Sequence, residues 1–319
     1  MKRVSHSGGI DAPSVAEAIR SACIAELSAL KPGNVSIYSE GHGMRIEDFI
    51  YSACVIAPVL SEFGLSVGER ILAAIQATRR VADCNTNLGI VLLCAPLAHA
   101  ALNLRPEQSL RDALGETLQT LNKTDTRLTY EAIRLAKPAG LGDVAQHDVG
   151  EIEPDVSLLQ VMRAAQEYDR IAQQYTSNYA DVFDIAIPRL YKGIARWNNE
   201  EWATVSAYLG LLATFPDTHI KRKFGIRLAK DVSIRAKCLD HMLLTEKDTP
   251  QRMAGALMYF DTELKQQGIN PGTSADLTVA ALTIKRLKDG ILDSGQMSFR
   301  GKGVSSGCCS STVFHQQPE

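Results

Sequence analysis

Apolar residues recur at helical spacing along nearly the whole chain. Leu277, Ala280, Ala281, Ile284 and Leu287 fall at i, i+3, i+4, i+7 and i+10, and Trp202, Val205, Leu209 and Leu212 repeat the stripe. An α-helix turns once every 3.6 residues, so this spacing gathers the apolar side chains on one face. The alternation that would do the same for a strand is nearly absent. The pattern predicts helices over 12–30, 46–62, 67–82, 86–103, 107–122, 127–137, 154–175, 178–197, 201–214, 224–245, 249–266 and 274–290. About a dozen helices with no sheet to lean on must bury their stripes against one another. The expected fold is therefore all-α, a single multi-helical globular domain over residues 1–291. The polar stretch 146–155 has helical patterning of one kind on both sides and is read as a loop, not a domain boundary. No repeat of 20–50 residues is visible, which excludes a solenoid. After Ile291 the composition turns to Gly, Ser, Lys, Cys and Gln, and 292–319 is read as a tail.

The 319 residues are 45% hydrophobic and 22% charged, enough to bury a substantial core. A formal net charge of −2 and a pI near 6.4 give no bulk attraction to polyphosphate backbones, so nucleic acid is not the expected partner. The start of the chain lacks the apolar segment of a secretory signal, and no run of about 18 apolar residues offers a membrane span. A cytoplasmic protein is expected. Seven cysteines are an odd count without paired CxxC spacing, which points to neither a disulfide framework nor a zinc site. The Walker A, GxSxG, HExxH and GxGxxG patterns are all missing, which removes the common ATPase, hydrolase, zincin and Rossmann classes.

Polar residues instead gather in four knots where loops meet helices. In Lys31-Pro32-Gly33-Asn34-Val35-Ser36 the Pro and Gly are good turn chemistry, while Lys31, the amides around Gly33 and Asn34, and Ser36 are candidate phosphate donors, with Glu26 just upstream. Asp83-Cys84-Asn85-Thr86-Asn87-Leu88-Gly89 carries more polar groups than one helix cap needs. Asn85, Thr86 and Asn87 are therefore candidate contacts to a ribose or a base. Asp217 through Gly225 sets a carboxylate beside Lys221, Arg222 and Lys223, read as cations at the start of a helix near Phe224, a pattern suited to a magnesium-bridged polyphosphate. Asn270 through Leu277 contains Thr273-Ser274-Ala275-Asp276, which reads as a capping box or as further ligand contacts from Ser274 and Asp276. Asp143, His147 and Asp148 lie in a glycine-punctuated loop as metal or proton-handling candidates, and His42 lies in another.

Taken in order, these segments resemble the triphosphoribosyl-dephospho-coenzyme A synthases over about residues 20–290. Glu26 with Lys31-Pro32-Gly33 is similar to an E-x-x-x-x-K-P-G block. Gly41-His42 followed by Phe49-Ile50-x-Ser52-Ala53 is similar to the next block. Asn85-Thr86 is similar to N-T-H-K-G, Asp217-Thr218 with Arg222 and Gly225 to D-T-x-x-x-R-x-G, and Pro271-Gly272-x-Ser274-Ala275-Asp276-Leu277 to S-P-G-G-S-A-D-L. Two departures stand out. Asn87 and Leu88 occupy the family's His and Lys positions, and Gly43-Met44 shortens the Lys-Asp-Met that follows the His.

The resemblance implies an all-α transferase that joins C1′ of the ATP ribose to an acceptor hydroxyl, releasing adenine. The acceptor would be dephospho-coenzyme A or another coenzyme precursor. On it, Glu26, His42 and Asp217 become catalytic candidates, and Lys31, Gly33, Asn34, Ser36, Asn85, Thr86, Asn87, Lys221, Arg222, Ser274 and Asp276 substrate-binding ones. Asp217, Asp143 and Asp148 become candidate ligands to a magnesium cofactor. The implied partners are small molecules and a second copy of the chain in a homodimer. A magnesium-dependent nucleotide or ribosyl hydrolase, using water in place of the alcohol, is the alternative; a non-catalytic nucleotide-binding protein is a third.

Overall fold

A computed structural model describes residues 9–137, 155–246 and 249–300, with backbone alone for 291–300. The helices in order are α1 (Ala12–Leu27), α2 (Ile46–Leu60), α3 (Val67–Thr78), α4 (Leu88–Leu102), α5 (Leu110–Thr120), α6 (Lys123–Ala136), α7 (Leu158–Ala165), α8 (Arg170–Ser177), α9 (Ile187–Trp197), α10 (Glu200–Thr214), α11 (Thr218–Phe224), α12 (Ile226–Thr245), α13 (Ala254–Gln266) and α14 (Gly272–Arg300). A π-helical turn, Asp181–Ala186, leads into α9, and a 3₁₀ turn, Pro250–Met253, leads into α13. No strand forms among the described residues, and no helix there is long and apolar enough to cross a membrane.

Helix α4 is apolar all round and lies at the centre of the larger core, packed by α2, α3, α5 and α14, while α1 packs on α2 and α14. A second core joins α10 to α12 and α13 around Trp202, Val205, Leu209, Leu257 and Phe260. Helix α4 contains Pro96, which has no N–H for the carbonyl of Leu92 and distorts the turn around it. Buried Tyr175 supplies the missing donor, its Oη donating to Leu92 O (2.6 Å), and buried Tyr179 Oη adds a bond to the neighbouring Leu93 O (2.9 Å). This ties α8 and the π-helical turn to the central helix.

The elements depart from the sequence reading in four places. The helix expected over 154–175 is two, because Asp169 accepts from the amides of Ile171 and Ala172 and starts α8 afresh. The helix expected from 178 starts later, since Asn178 and Tyr179 both have left-handed backbones (φ 51° and 57°). The third knot is itself helical: α11 runs from the cap Asp217 to Phe224, so Lys221, Arg222 and Lys223 lie in its last turn and not at a helix start. Cations there complement the helix dipole, and Gly225 (φ 87°) breaks the chain into α12. Last, α14 runs ten residues beyond the expected end at 290, into what was read as tail; residues 301–319 lie outside the described residues.

Candidate active site

The fourth knot, at the start of α14, is where the others meet. Asp217, fully buried, caps α11 by accepting from the amides of His219 (2.9 Å) and Ile220 (3.2 Å) through one oxygen. Its other oxygen accepts from the backbone N–H and the hydroxyl of Ser274, both at 2.8 Å. Thr218 and Thr273 pair their hydroxyls at 3.0 Å, and the His219 amide donates to Thr273 Oγ1 (3.1 Å). Burial pushes the Asp217 carboxyl up and the four donors pull it back.

The first knot docks on the same junction from α13. Gly33, with a left-handed φ of 82°, donates its N–H to Asp261 Oδ1 (2.8 Å); a side chain there would collide with Leu264 and Pro271. Lys265 Nζ bridges Asp261 (3.0 Å) to the carbonyl of Ser39 (2.8 Å), and Tyr208 Oη donates to Pro32 O (2.7 Å). Asn34 Nδ2 donates to Asn270 Oδ1 at 2.8 Å. Lys31 is buried to 0% exposure beneath this turn, its ammonium spent on Glu26 Oε1 (3.0 Å), Asn34 Oδ1 (3.2 Å) and Val35 O (2.7 Å). Three donors thus meet three protein acceptors. Ser36 Oγ is buried without a hydrogen-bond partner.

The second knot is tied to its own helix start and to α2 and α3. Asn85 Oδ1 accepts from Leu88 N (3.1 Å), Thr86 shares a hydroxyl bond with Ser52 (2.7 Å), and Asn87 Nδ2 donates to Thr78 Oγ1 (2.9 Å). The two positions that depart from the family block are thus turned to packing: Asn87 is 5% and Leu88 9% exposed. Gly89 carries the link to the fourth knot, because Asp276 Oδ2 lies directly against its Cα. A Cβ at this position would stand 2.0 Å from that oxygen.

Asp276 is the outlier among these groups. It retains some exposure and has no hydrogen-bond or ion-pair partner among the described residues. Its carboxyl is held well above the usual range, first by desolvation and then by the charges of Glu26, Asp217 and Asp169, against a smaller pull from Arg222. Glu26 is likewise raised by burial and drawn down by Lys31. The buried thiol of Cys23 is raised well above its ordinary value by burial first, with Glu26 and Asp276 adding to the effect, which places all three groups together at the α1–α14 contact. Beside them a small, narrow cleft is lined by Cys23, Glu26, Leu27, Phe49, Ser52, Ala53, Ile56, Asn87 and Ile90.

Cations gather at the rim. The ring of His219 lies over Gly272 at the start of α14, and its pKa is pushed down to about 4 by burial and by Arg222, Lys223 and His42. His42, left-handed at φ 58°, donates from Nε2 to Gly33 O (2.8 Å) and is also lowered, by burial and then by Lys265 and Lys223. Arg222 pairs with Asp169, and Lys221 donates to Glu167 O (3.1 Å). Lys223 is exposed, has no carboxylate partner among the described residues, and stands 5.2 Å over the Phe224 ring.

Of the residues singled out in sequence, Asp143, His147 and Asp148 lie outside the described residues. Gly33, Asn34, Asp217, Ser274 and Asp276 meet around the start of α14, with Lys31 and Glu26 beneath the first turn. Asn85, Thr86 and Asn87 instead bond to Leu88, Ser52 and Thr78, and Lys221 and Arg222 to Glu167 and Asp169. Sequence reasoning passed over the Asp261–Lys265 pair that holds Gly33, although its i, i+4 spacing on α13 is visible. It also gave no role to His219, and none to Gly89, whose importance is a matter of tertiary approach.

Acidic groups of α1 and α14 lie near cations of α11 on an all-α scaffold, an arrangement suited to a polyanionic small molecule. The chain belongs to the CitG family, ATP:dephospho-CoA triphosphoribosyl transferase, whose profile matches residues 12–294. It is an ATP-dependent triphosphoribosyl transferase. A solved structure from Archaeoglobus fulgidus, provisionally described as a triphosphoribosyl-dephospho-coA synthase, shares the fold: TM-score 0.57, 22% identity, covering 75% of this chain and 98% of that one. No curated protein matches the sequence.

Proposed function

We propose that this chain, working in the cytoplasm, transfers the triphosphoribosyl group of ATP to dephospho-coenzyme A with Asp276 as the base at the acceptor hydroxyl. The observation that carries this reading is a carboxylate without a partner among the described residues, set close to Glu26. In the reaction the C1′–N9 bond breaks and the C1′–O bond forms. Asp276 accepts the hydroxyl proton, adenine leaves with the bonding pair and takes a proton from water, and Asp276 returns its proton to solvent after the transfer. Positive charge develops at C1′, and Glu26, ion-paired with Lys31, stands close enough to Asp276 to stabilise it. A carboxyl raised toward neutrality makes a better base than an ordinary aspartate.

The triphosphate takes the rim, against Lys223, His219, His42 and the first turn of α14, where charge and dipole have one sign. Lys31 holds Glu26 and the turn instead of a phosphate. The described residues do not fit a resident magnesium ion: Asp217 already accepts four bonds, Glu26 is tied to Lys31, and no group of three or more potential ligands forms among them. Magnesium enters this reading as part of the substrate MgATP.

Adenine released from MgATP by the purified protein, followed with dephospho-coenzyme A and with a panel of hydroxyl-bearing coenzyme precursors, tests the proposal. Acceptor-dependent release is expected. Equal release with and without acceptor would make the chain a hydrolase, and no release with any acceptor would overturn the reading.

A further inference from the structure

The base proposed above is held by nothing of its own, so something else must fix where it points. Among the described residues Asp276 makes no hydrogen bond and no ion pair, and an aspartate so placed has rotamers to choose from. What confines it is close packing. Gly89, in the first turn of α4, leaves a hollow in which Asp276 Oδ2 and Cγ would be 2.0 and 2.6 Å from a Cβ, with Ile171 Cδ1 at 2.7 Å on the other side. Real Cβ atoms do not tolerate such distances, so any side chain at 89 must displace the carboxylate, Ile171 or the helix. The hollow also brings the carboxylate to the positive end of α4, where the first amides of a helix lack intrahelical partners.

We propose that Gly89 is a positioning residue for the transfer reaction, acting through Asp276 by letting its carboxylate seat against the first turn of α4. The proposal rests on the assignment of Asp276 as the base. The charged and titratable groups around that carboxylate are Glu26 and Cys23 from α1, Cys94 from α4, Asp217 at the cap of α11, Asp169 at the cap of α8, and Arg222 from α11. Moving the carboxylate outward from this acidic, desolvated setting makes it easier to ionise. The rate falls as pH drops through the base's pKa, so in Gly89→Ala that acid limb moves to lower pH.

The test is a double-mutant cycle on the full chain, with adenine release as the readout and thermal melting as the check on folding. Gly89→Ala is expected to lower kcat by about 100-fold with KM for ATP little changed, since displacing a reacting group by about 1 Å costs that much. Its acid limb is expected to shift downward, and in an Asp276→Asn background it should cost nothing more, because the group it positions is already disabled. Loss of rate with an unmoved acid limb, or losses that multiply in the double variant, would show a general packing defect and overturn the proposal, as would wild-type kcat in Gly89→Ala. Wild-type activity in Asp276→Asn alone would remove the base assignment itself, and the positioning role with it. Ile171→Val, which trims the other wall of the hollow without touching the carboxylate, is expected to keep the wild-type acid limb; a shifted limb there would sink the assignment to Gly89.

Discussion

The junction of α11 with α14 and the junction of α1 with α4 and α14 are each built around one aspartate, and they use it in opposite ways. Asp217 has two amides on one oxygen and a backbone amide and a hydroxyl on the other, so its charge is consumed by the scaffold. Asp276, in the same fourth-knot helix as Ser274, lies near enough to Asp217 and Glu26 to be raised by both, yet no donor among the described residues reaches it. Desolvation raises both carboxyls; hydrogen bonds then pull Asp217 back, whereas neighbouring carboxylates push Asp276 further up. The same residue type in neighbouring motifs thus holds the fold together in one place and stays chemically available in the other.

The comparison breaks most sharply by mutation. Asp276→Asn is expected to lower acceptor-dependent adenine release by about 100- to 10,000-fold, the range for losing a general base, with a melting temperature equal to or above wild type because a repelled charge is gone. A low rate accompanied by a lowered melting temperature would place Asp276 with the scaffold after all. Asp217→Ala should do the reverse first: removing a cap and leaving buried donors unpaired costs about 2–4 kcal/mol, read as a fall in urea midpoint. An unchanged midpoint with abolished turnover would return Asp217 to the chemistry.

At the rim the effects are smaller. Free tripolyphosphate should bind more tightly as pH falls from about 7.5 to 5.5, because an anion raises the depressed pKa of His219 and is bound with proton uptake. His219→Asn should flatten that dependence, by about three- to tenfold at the acid end. Equal pH dependence in the two proteins would place the phosphates elsewhere.

The smallest effect is on stability against pH. Asp276 has a folded pKa above its unfolded value of about 3.9, so its contribution is complete below that pH and is lost as pH rises through the folded pKa. The melting temperature of Asp276→Asn relative to wild type should therefore climb from about pH 4 toward neutrality. A constant gap would mean that the carboxyl is not perturbed.

Much of this was legible in the sequence because helices announce themselves through local spacing. The stripes of α10 and α14 and the four polar knots follow from residues a few positions apart. The split at Asp169 and the short helix α11 were missed because each depends on one aspartate choosing a cap over a loop. The roles were harder to read than the positions. Lys31 looks like a phosphate ligand until Glu26, Asn34 and Val35 are seen to take its three protons, and the excess polar groups at 85–87 looked like ligand contacts until Ser52 and Thr78 accounted for two of them. The approach of Asp276 to Gly89 joins residues far apart in the chain, and no local pattern encodes it.

The double cap at Asp217 also bears on how the site opens. The amides of His219, Ile220 and Ser274 all rest on this one carboxylate, directly bonded at 2.8–3.2 Å. The Ile220 and Ser274 amides depend on it alone, while that of His219 also has Thr273 Oγ1 at 3.1 Å, so swinging the carboxylate aside uncovers the first two together. In deuterated buffer these two should exchange as a pair, in a single opening event that loosens α11 and the first turn of α14 together and leaves the phosphate rim and the acidic groups no independent way to come apart.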